Sequence, residues 1–260
     1  MSTFNLPVYL IHYTKLTERL ENFNRLKTDL KLLNCEIITS FDAGDIKTNH
    51  FNLDPNSWRS SVENILDILL ANYIHLSRSL DFHKSLLLAR QFDRSNDLPQ
   101  WLQHRNLCNG EVSVLMKHLY ALTAISQGSS SHGLILEDDV LMHPDTSNML
   151  DNLLNLVGPN HAYVDLAGGC SLHPCSSCDQ MDEVNNLACL GVNRTRTNAA
   201  YLVSKTLAKF LVSNFFPLAT PIDWHLMSIL QQLSGLKMYW TLSPVFIHGS
   251  ETDVYTSWRT

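Results

Sequence analysis

The sequence has no excess of basic residues and no long apolar run. Its 260 residues include 19 Lys and Arg against 25 Asp and Glu, which gives a formal net charge of −6. Because surfaces that bind nucleic acid usually carry a basic excess, this balance argues against a nucleic-acid partner. A membrane span needs about 20 consecutive apolar residues, and no such stretch is present. We therefore expect a soluble protein without a transmembrane segment.

The amino terminus also lacks the apolar core of a signal peptide. Only residues 8–11 form a compact apolar run between Pro7 and Lys15, which is too short for such a core. We expect a cytoplasmic location, with the membrane surface as the second possibility. No internal repeat divides the chain, and hydrophobic residues make up 45% of it, enough for a well-buried core. Residues 1–260 are therefore predicted to form a single domain, and nothing in the sequence indicates its oligomeric state.

Four of the six cysteines are clustered in a segment of about 20 residues. Cys35 and Cys108 are isolated and typical of small core residues. The cluster contains one Cys-x2-Cys pair, which is a zinc half-site, but it has no second pair. A structural zinc site and a disulfide-linked or thiol-rich loop at about 170–189 are both open interpretations. The cluster consists of Cys170, Cys175, Cys178 and Cys189.

The hydrophobic pattern predicts an α/β fold. Residues 6–12 and 36–41 resemble strands, and apolar residues at helical spacing over 16–33 predict a helix between them. A strand–helix–strand unit of this kind builds a parallel sheet. Helical periodicity over about 54–108 predicts an insertion, and a further helix is expected from Asn109 to Gly128. Later segments predict strands near 134–140, 162–166, 199–203 and 244–248, and helices near 149–156, 205–214 and after Asp223.

An acidic triplet, Glu137, Asp138 and Asp139, ends the apolar run LILEDDV at 134–140. Buried charges are costly unless they are paired or bound to metal, so hydrophobic packing does not explain them. Three carboxylates at a strand end suit a hard cation such as Mg²⁺ or Mn²⁺, which could in turn hold a diphosphate. The alternative is a solvated turn that runs to Pro144, because Asp is favoured in turns.

Seven separated segments together resemble the family 25 glycosyltransferases, the lipopolysaccharide and collagen-type galactosyltransferase group. Each segment is weak alone, but the ordered set covers most of the chain outside the insertion and the cysteine cluster. The departures are His12 in place of Asn, and Ser113, Val114 and Lys117 within the helix signature. The matching segments are YLIHY at 9–13 through Arg19, FDAG at 41–44, GEVSV at 110–114 through His118, LEDDV at 136–140, YVDLAG at 163–168, NAAYLVS at 198–204 and PIDW at 221–224.

The resemblance implies a GT-A-like, Rossmann-like fold and an enzyme of defined chemistry. Such an enzyme would be an inverting, metal-dependent hexosyltransferase that moves a sugar from a UDP-sugar to a saccharide, with galactose as the expected sugar. Its expected role is lipopolysaccharide or other surface-glycan synthesis. A metal-dependent phosphohydrolase and a catalytically degenerate module that only binds partners are the alternatives.

The resemblance also implies a metal site at the acidic triplet. Asp139 is the first candidate, joined by Asp138 or Glu137, because alternate residues of an extended chain share a face. A divalent cation there would neutralise the leaving diphosphate and act as a Lewis acid. His248, at the end of a late apolar strand, could complete the metal shell, although an isolated histidine is more often a surface residue.

An inverting transfer needs a base that deprotonates the acceptor hydroxyl. Asp223, which follows Pro221 at a helix start, is the leading candidate, and its alternative explanation is helix capping. Asp165 is the second candidate, and it could instead simply end a strand.

Donor binding is expected at the carboxyl ends of the first strands, where α/β sheets usually bind ligands. His12, Tyr13 and Arg19 would flank the base and phosphates, and Asp42 would hydrogen-bond ribose or uracil; Arg19 could equally be a solvated helix residue. Glu111 and His118 are predicted to support the metal site from behind, while a Glu at a helix start needs no function to explain it.

Overall fold

The computed structural model describes residues 6–32, 34–44, 107–158, 161–169, 172, 178–215, 218 and 220–255. The predicted helical insertion at about 54–108 lies outside the described residues, except for its last two positions. Ten strands and five helices are described. The strands are β1 (Val8–Ile11), β2 (Cys35–Ile38), β3 (His132–Glu137), β4 (Val140–Met142), β5 (Tyr163–Asp165), β6 (Cys178–Asp182), β7 (Leu187–Leu190), β8 (Ala200–Ser204), β9 (Met238–Thr241) and β10 (Phe246–His248). The helices are α1 (Thr17–Asp29), α2 (Asn109–Gln127), α3 (Thr146–Leu156), α4 (Lys205–Ser213) and α5 (Ile222–Leu230).

Eight strands form one sheet in the order β2-β1-β3-β8-β5-β9-β7-β6, and β4 and β10 form a separate antiparallel pair. Strand β1 is parallel to both of its neighbours, and β5 is parallel to β9. Strands β8 and β7 run against their neighbours. Six strands therefore share one direction and two oppose them. The prediction of a mixed α/β sheet flanked by helices is confirmed.

The sheet has a hydrophobic core on each face, because the side chains of its strands alternate between the two. Leu134 and Leu136 of β3 pack in one core with α1 and α3, whereas Ile135 packs in the other with α2, α4 and α5. Helix α2 lies very close to β3 at Gly133, where a Cβ atom would be 2.4 Å from Ile125 Cγ1. That approach holds α2 beside the strand that carries the acidic triplet.

Two parts of the fold differ from the sequence predictions. The described part of the predicted cysteine-rich loop contains β6 and β7, which pair as an antiparallel hairpin at the edge of the sheet. Strand β9 was not predicted, although Met238 and Trp240 within it are fully buried. It lies between two strands that are distant in sequence, so only the assembled sheet explains its formation.

The described residues contain no helix with the length and apolarity needed to cross a membrane.

Candidate functional site

A cleft opens at the carboxyl ends of β1 and β3. The connection after β1 leads to β2 on one side, and β3 pairs with β1 on the other, with Ile11 opposite Glu137. Crevices at such switch points are where open α/β sheets bind ligands. The described lining residues come from the end of β1 and the loop that follows it, from α1, from Ala43 after β2, from the first turns of α2 and from the acidic triplet. The fold therefore places the triplet where the sequence predicted a ligand.

Asp138 is fully engaged by groups from β1 and α1. Its Oδ2 accepts hydrogen bonds from His12 Nδ1 at 2.9 Å and from the Tyr13 backbone N–H at 3.0 Å. Its Oδ1 accepts one from Arg19 Nη1 at 2.8 Å, and the Arg19 side chain is only 3% exposed. The guanidinium also lies 5.1 Å from the ring centroid of Tyr255. The structure thus brings His12, Tyr13 and Arg19 together in the cleft, with Asp138 as the group that orders them.

The Asp139 side chain points away from the partners of Asp138 and pairs with His248. Antiparallel pairing of β4 with β10 sets His248 opposite Val140, and His248 Nε2 donates to Asp139 Oδ2 at 3.1 Å. Ser250 Oγ donates to the same oxygen. Gly249 allows this approach, since a Cβ atom there would be 2.6 Å from the Asp139 carbonyl oxygen.

Asp139 and His248 form an ion pair, and one of the two oxygens of the Asp139 carboxylate has no hydrogen-bond donor. Burial raises the pKa of Asp139, but His248, Ser250 and Arg19 outweigh it and hold that pKa below its usual value. Burial likewise lowers the pKa of His248, and Asp139 more than reverses this, raising it to about 9. Asp139 Oδ1 is buried and accepts no hydrogen bond. Such an oxygen can take a cation.

Glu137 is the most exposed carboxylate of the triplet, with 23% of its side chain open to solvent. His118 Nε2 contacts its Oε1 at 3.1 Å, and His118 Nδ1 contacts the Tyr201 hydroxyl at 2.9 Å. His118 is fully buried in α2 behind the cleft. It therefore supports the triplet from behind, the position in which the sequence predicted it.

Lys117 is a cleft residue that sequence reasoning missed. It is 1% exposed, and its ammonium donates to the Asp42 carboxylate and to the His12 carbonyl oxygen. Thr14 donates to Asp42 from its backbone N–H, at 3.1 Å, and from its hydroxyl. The available signal was a lysine beside a histidine in the middle of an apolar helix.

The Asp42 carboxylate already binds Lys117 and Thr14, which does not suit a residue that is expected to bind ribose. Burial raises its pKa, but Lys117 and Thr14 outweigh this effect and keep the pKa below its usual value. It follows Phe41, whose φ of 66° is unfavourable for a bulky side chain. Asp42 is not among the described residues that line the cleft, so its visible role is to hold Lys117 and the loop after β1.

Glu111 does not accompany His118 behind the triplet. Its Oε2 accepts a hydrogen bond from the Cys108 backbone N–H at 3.0 Å, which caps the start of α2. The interpretation of Glu111 as a helix-start residue fits this contact better than a metal-supporting role does.

The two predicted bases lie outside the described lining of the cleft. Asp165 has no exposed surface, and its Oδ1 accepts from Arg196 Nη2 at 2.6 Å and from the Gly168 N–H at 3.0 Å. A residue so enclosed cannot reach an acceptor hydroxyl in this conformation. Asp223 is half-buried near the start of α5, and its Oδ1 accepts two hydrogen bonds of 3.1 Å from Asn198. It does not cap α5, because Pro221 occupies the capping position.

The cysteine cluster is only partly described. Cys170 and Cys175 lie outside the described residues, Cys178 begins β6, and Cys189 is a free thiol in β7. The zinc site stays a prediction.

The described residues contain no group of three or more His, Cys, Asp or Glu side chains arranged to hold a metal ion. The reason is visible in the triplet, whose three carboxylates point to three different partners: His118, Arg19 with His12, and His248. Any cation would therefore need oxygens from a ligand as well as from the protein.

No protein-family model matches the sequence, and no curated protein matches it.

Proposed function

We propose that this chain is a divalent-metal-dependent glycosyltransferase with a GT-A-like fold, which moves a sugar from a UDP-sugar to a saccharide acceptor. The observation that carries the proposal is that one switch-point cleft contains both fixed cations and carboxylate oxygens. A nucleoside diphosphate held with a metal ion needs both, because its phosphates repel carboxylates unless a cation stands between them. The resemblance of seven ordered sequence segments supports the same assignment.

The cationic side of the cleft suits the donor's phosphates. Arg19 and Lys117 are both held in fixed positions by buried carboxylates. Gly110 and Ser113, in the first turns of α2, line the same cleft, and the start of a helix carries a partial positive charge. Arg19 presents a planar fork of donors, which suits phosphate oxygens.

The acidic side can supply two carboxylates to a metal but not three. Asp139 Oδ1 is buried without a partner, and Glu137 is partly exposed in the cleft, so both fit as ligands. Asp138 does not fit, because both of its oxygens already accept hydrogen bonds. Mg²⁺ is commonly held by one or two carboxylates together with substrate phosphates, which is consistent with this arrangement. A bound Mg²⁺ or Mn²⁺ would supply charge neutralisation for the departing diphosphate.

The remaining residues would bind and orient. Asp138 and His12 hold Arg19 and the Tyr13 backbone against the donor, and His248 holds Asp139. Of the two predicted bases, Asp223 is the better candidate for deprotonating the acceptor, since Asp165 is sealed in the protein.

A panel of nucleotide sugars, beginning with UDP-galactose, tests the proposal. We expect UDP to raise the melting temperature only when Mn²⁺ or Mg²⁺ is present, and a saccharide acceptor to accelerate UDP release. UDP-sugar cleavage that no acceptor accelerates would favour a phosphohydrolase. Absence of metal-dependent UDP binding would contradict both enzyme assignments and favour a binding module.

A further inference from the structure

A buried tyrosine lies at the end of the hydrogen-bonded chain that leads from Glu137 into the core. We propose that Tyr201 is a positioning residue: through His118, its hydroxyl fixes the orientation in which Glu137 presents its carboxylate to the cleft. The inference deepens the proposed glycosyltransferase function and rests on it for its effect on turnover. The structural part of the inference concerns only the hydrogen bonds among Glu137, His118 and Tyr201, and it can be tested without an activity measurement.

The hydrogen-bonded chain connects β8, α2 and β3, and only its Glu137 end is exposed to solvent. Tyr201 and His118 have no exposed surface, and their rings are nearly parallel, 7° apart, with centroids separated by 5.7 Å. Tyr201 lies opposite Ile135 in the pairing of β8 with β3, two residues before Glu137. Two core strands and α2 therefore set the positions of all three side chains.

Only one arrangement of protons gives every donor in this hydrogen-bonded chain an acceptor. Burial raises the pKa of Tyr201 well above its usual value, so its hydroxyl is protonated and must donate. His118 Nδ1, at 2.9 Å, is its acceptor. The imidazole proton then resides on Nε2 and is donated to Glu137 Oε1 at 3.1 Å. In the opposite tautomer, the Nε2 lone pair would face the carboxylate oxygen, which is repulsive.

Fixing Oε1 fixes the whole carboxylate. Glu137 is held at its backbone by the strand, where its N–H donates to the Ala199 carbonyl at 2.7 Å, and at its tip by His118. Its second oxygen, Oε2, is left for the cleft. Groups that orient a functional side chain in this way typically change affinity or activity about 10- to 100-fold when they are removed.

A neighbouring tyrosine provides a matched control. Tyr163 is also fully buried, and its ring stacks on that of Tyr201 with centroids 5.3 Å apart. Its hydroxyl donates to Asn198 Oδ1 at 3.0 Å, and so takes no part in the chain to Glu137. Tyr163→Phe and Tyr201→Phe each remove one buried hydroxyl and keep the ring, so their structural costs should be similar.

The test uses turnover under saturating Mn²⁺ and Mn²⁺-dependent UDP binding. Tyr201→Phe should lower kcat about 10- to 100-fold with the donor KM changed less than about threefold, as expected for lost orientation of a positioned group. Tyr163→Phe should show a similar loss of melting temperature, but its partner Asn198 also donates to Asp223, so this control is read in metal-dependent binding and not in kcat. The Mn²⁺ concentration that half-saturates UDP binding should stay within about threefold of the wild type in Tyr163→Phe and rise about 10-fold or more in Tyr201→Phe. An equal rise in both variants would show that only general core packing matters, and would overturn the proposal.

A double variant tests whether Tyr201 acts through His118. His118→Leu removes both the donor to Glu137 and the acceptor of the Tyr201 hydroxyl. Adding Tyr201→Phe to His118→Leu should cause no further loss of kcat, because residues that act in one chain are not additive. A full additional loss would mean that Tyr201 acts by another route.

Nitrogen-15 NMR of the histidine side chains tests the tautomer without any activity measurement. The His118 signals, assigned by their disappearance in His118→Gln, should show the proton on Nε2 and a hydrogen-bonded, unprotonated Nδ1 in the wild type, and a shifted Nδ1 signal in Tyr201→Phe, where that nitrogen loses its donor. A wild-type proton on Nδ1 would overturn the proposal whatever the enzyme does. The Nε2–H tautomer in a protein that transfers no sugar would overturn the proposed function and leave the positioning chain in place.

Discussion

Two strand ends at the same edge of the sheet carry carboxylates and differ in what surrounds them. Strand β3 ends in the acidic triplet, and β5, which runs in the same direction two positions away, ends in Asp165. Around β3, Glu137 retains 23% exposure and Asp139 Oδ1 accepts no hydrogen bond in a cleft with Arg19 and Lys117. Around β5, Asp165 is completely enclosed against Arg196; its Oδ2 also accepts no hydrogen bond, but Asp165 has no exposed surface and is not among the described residues that line the cleft.

The difference shows that a carboxylate after an apolar strand does not identify a site by itself. Arg196 is itself buried, packs 4.6 Å from the Trp240 ring centroid and lies at the Asp165 carboxylate. Burial raises the pKa of Asp165 above its usual value, and Arg196 opposes that rise. Among the described residues Asp165 is paired with Arg196 and sealed from solvent, so it has a structural explanation, whereas the triplet lines the cleft on which the proposed function rests.

Replacing a carboxylate by an amide at each strand end should distinguish the two ends most clearly. Asp139→Asn keeps the shape of the side chain but removes a charge that a metal ion requires, so turnover should fall at least about a thousandfold, or about 4 kcal/mol in barrier. Metal-dependent stabilisation by UDP should disappear with it. UDP-release kinetics and thermal shifts with and without Mn²⁺ measure the two effects.

Asp165→Asn is the matched change at the other strand end and should have the opposite profile. It leaves the Arg196 guanidinium buried beside a neutral group, so the melting temperature should fall while metal-dependent UDP binding persists. Loss of that binding in Asp165→Asn, with Asp139→Asn unaffected, would reverse the assignment of the two ends.

Removing the cation at the enclosed end should cost stability and little else. Arg196→Met leaves the Asp165 charge buried without its partner, which should lower the free energy of unfolding by about 3 kcal/mol. Urea denaturation monitored by circular dichroism measures this. The double variant Arg196→Met with Asp165→Asn should recover part of the loss, because it removes the unpaired charge; no recovery would mean that Arg196 stabilises mainly through its packing on Trp240.

The sequence predicted the elements that its local pattern determines. The α2 helix was expected to begin at Asn109 and end before Gly128, and the structure has Asn109–Gln127. A long helix with a regular apolar stripe is specified by its own residues, as is the run that becomes β3. Strand β9, four residues long, was not predicted, because partners far away in sequence decide its state.

The sequence predicted which residues lie in the candidate site better than it predicted which of their side chains contact one another. His12, Tyr13 and Arg19 were expected near the triplet and do lie there, because β1 and β3 are adjacent parallel strands. The sequence could not show that Asp138 would be neutralised by Arg19 or that Lys117 would enter the cleft. Those facts depend on side-chain directions over a separation of more than 100 residues, which local periodicity does not encode.

The opposite edge of the sheet offers the smallest and sharpest contrast, because it carries a buried and a half-buried histidine, His132 and His161, instead of carboxylates. His132, at the start of β3, hydrogen-bonds the His161 carbonyl oxygen at 3.0 Å, and burial lowers the pKa of both imidazoles. As pH falls below about 6.5, the unfolded chain therefore binds protons before the folded one does, and stability decreases. His132→Gln keeps a donor for that carbonyl and cannot be protonated, so its urea midpoint should fall less between pH 7.5 and pH 5.5 than that of the wild type. Equal falls in the two proteins would show that His132 is not part of the pH dependence, which would then arise from ion pairs at the cleft edge.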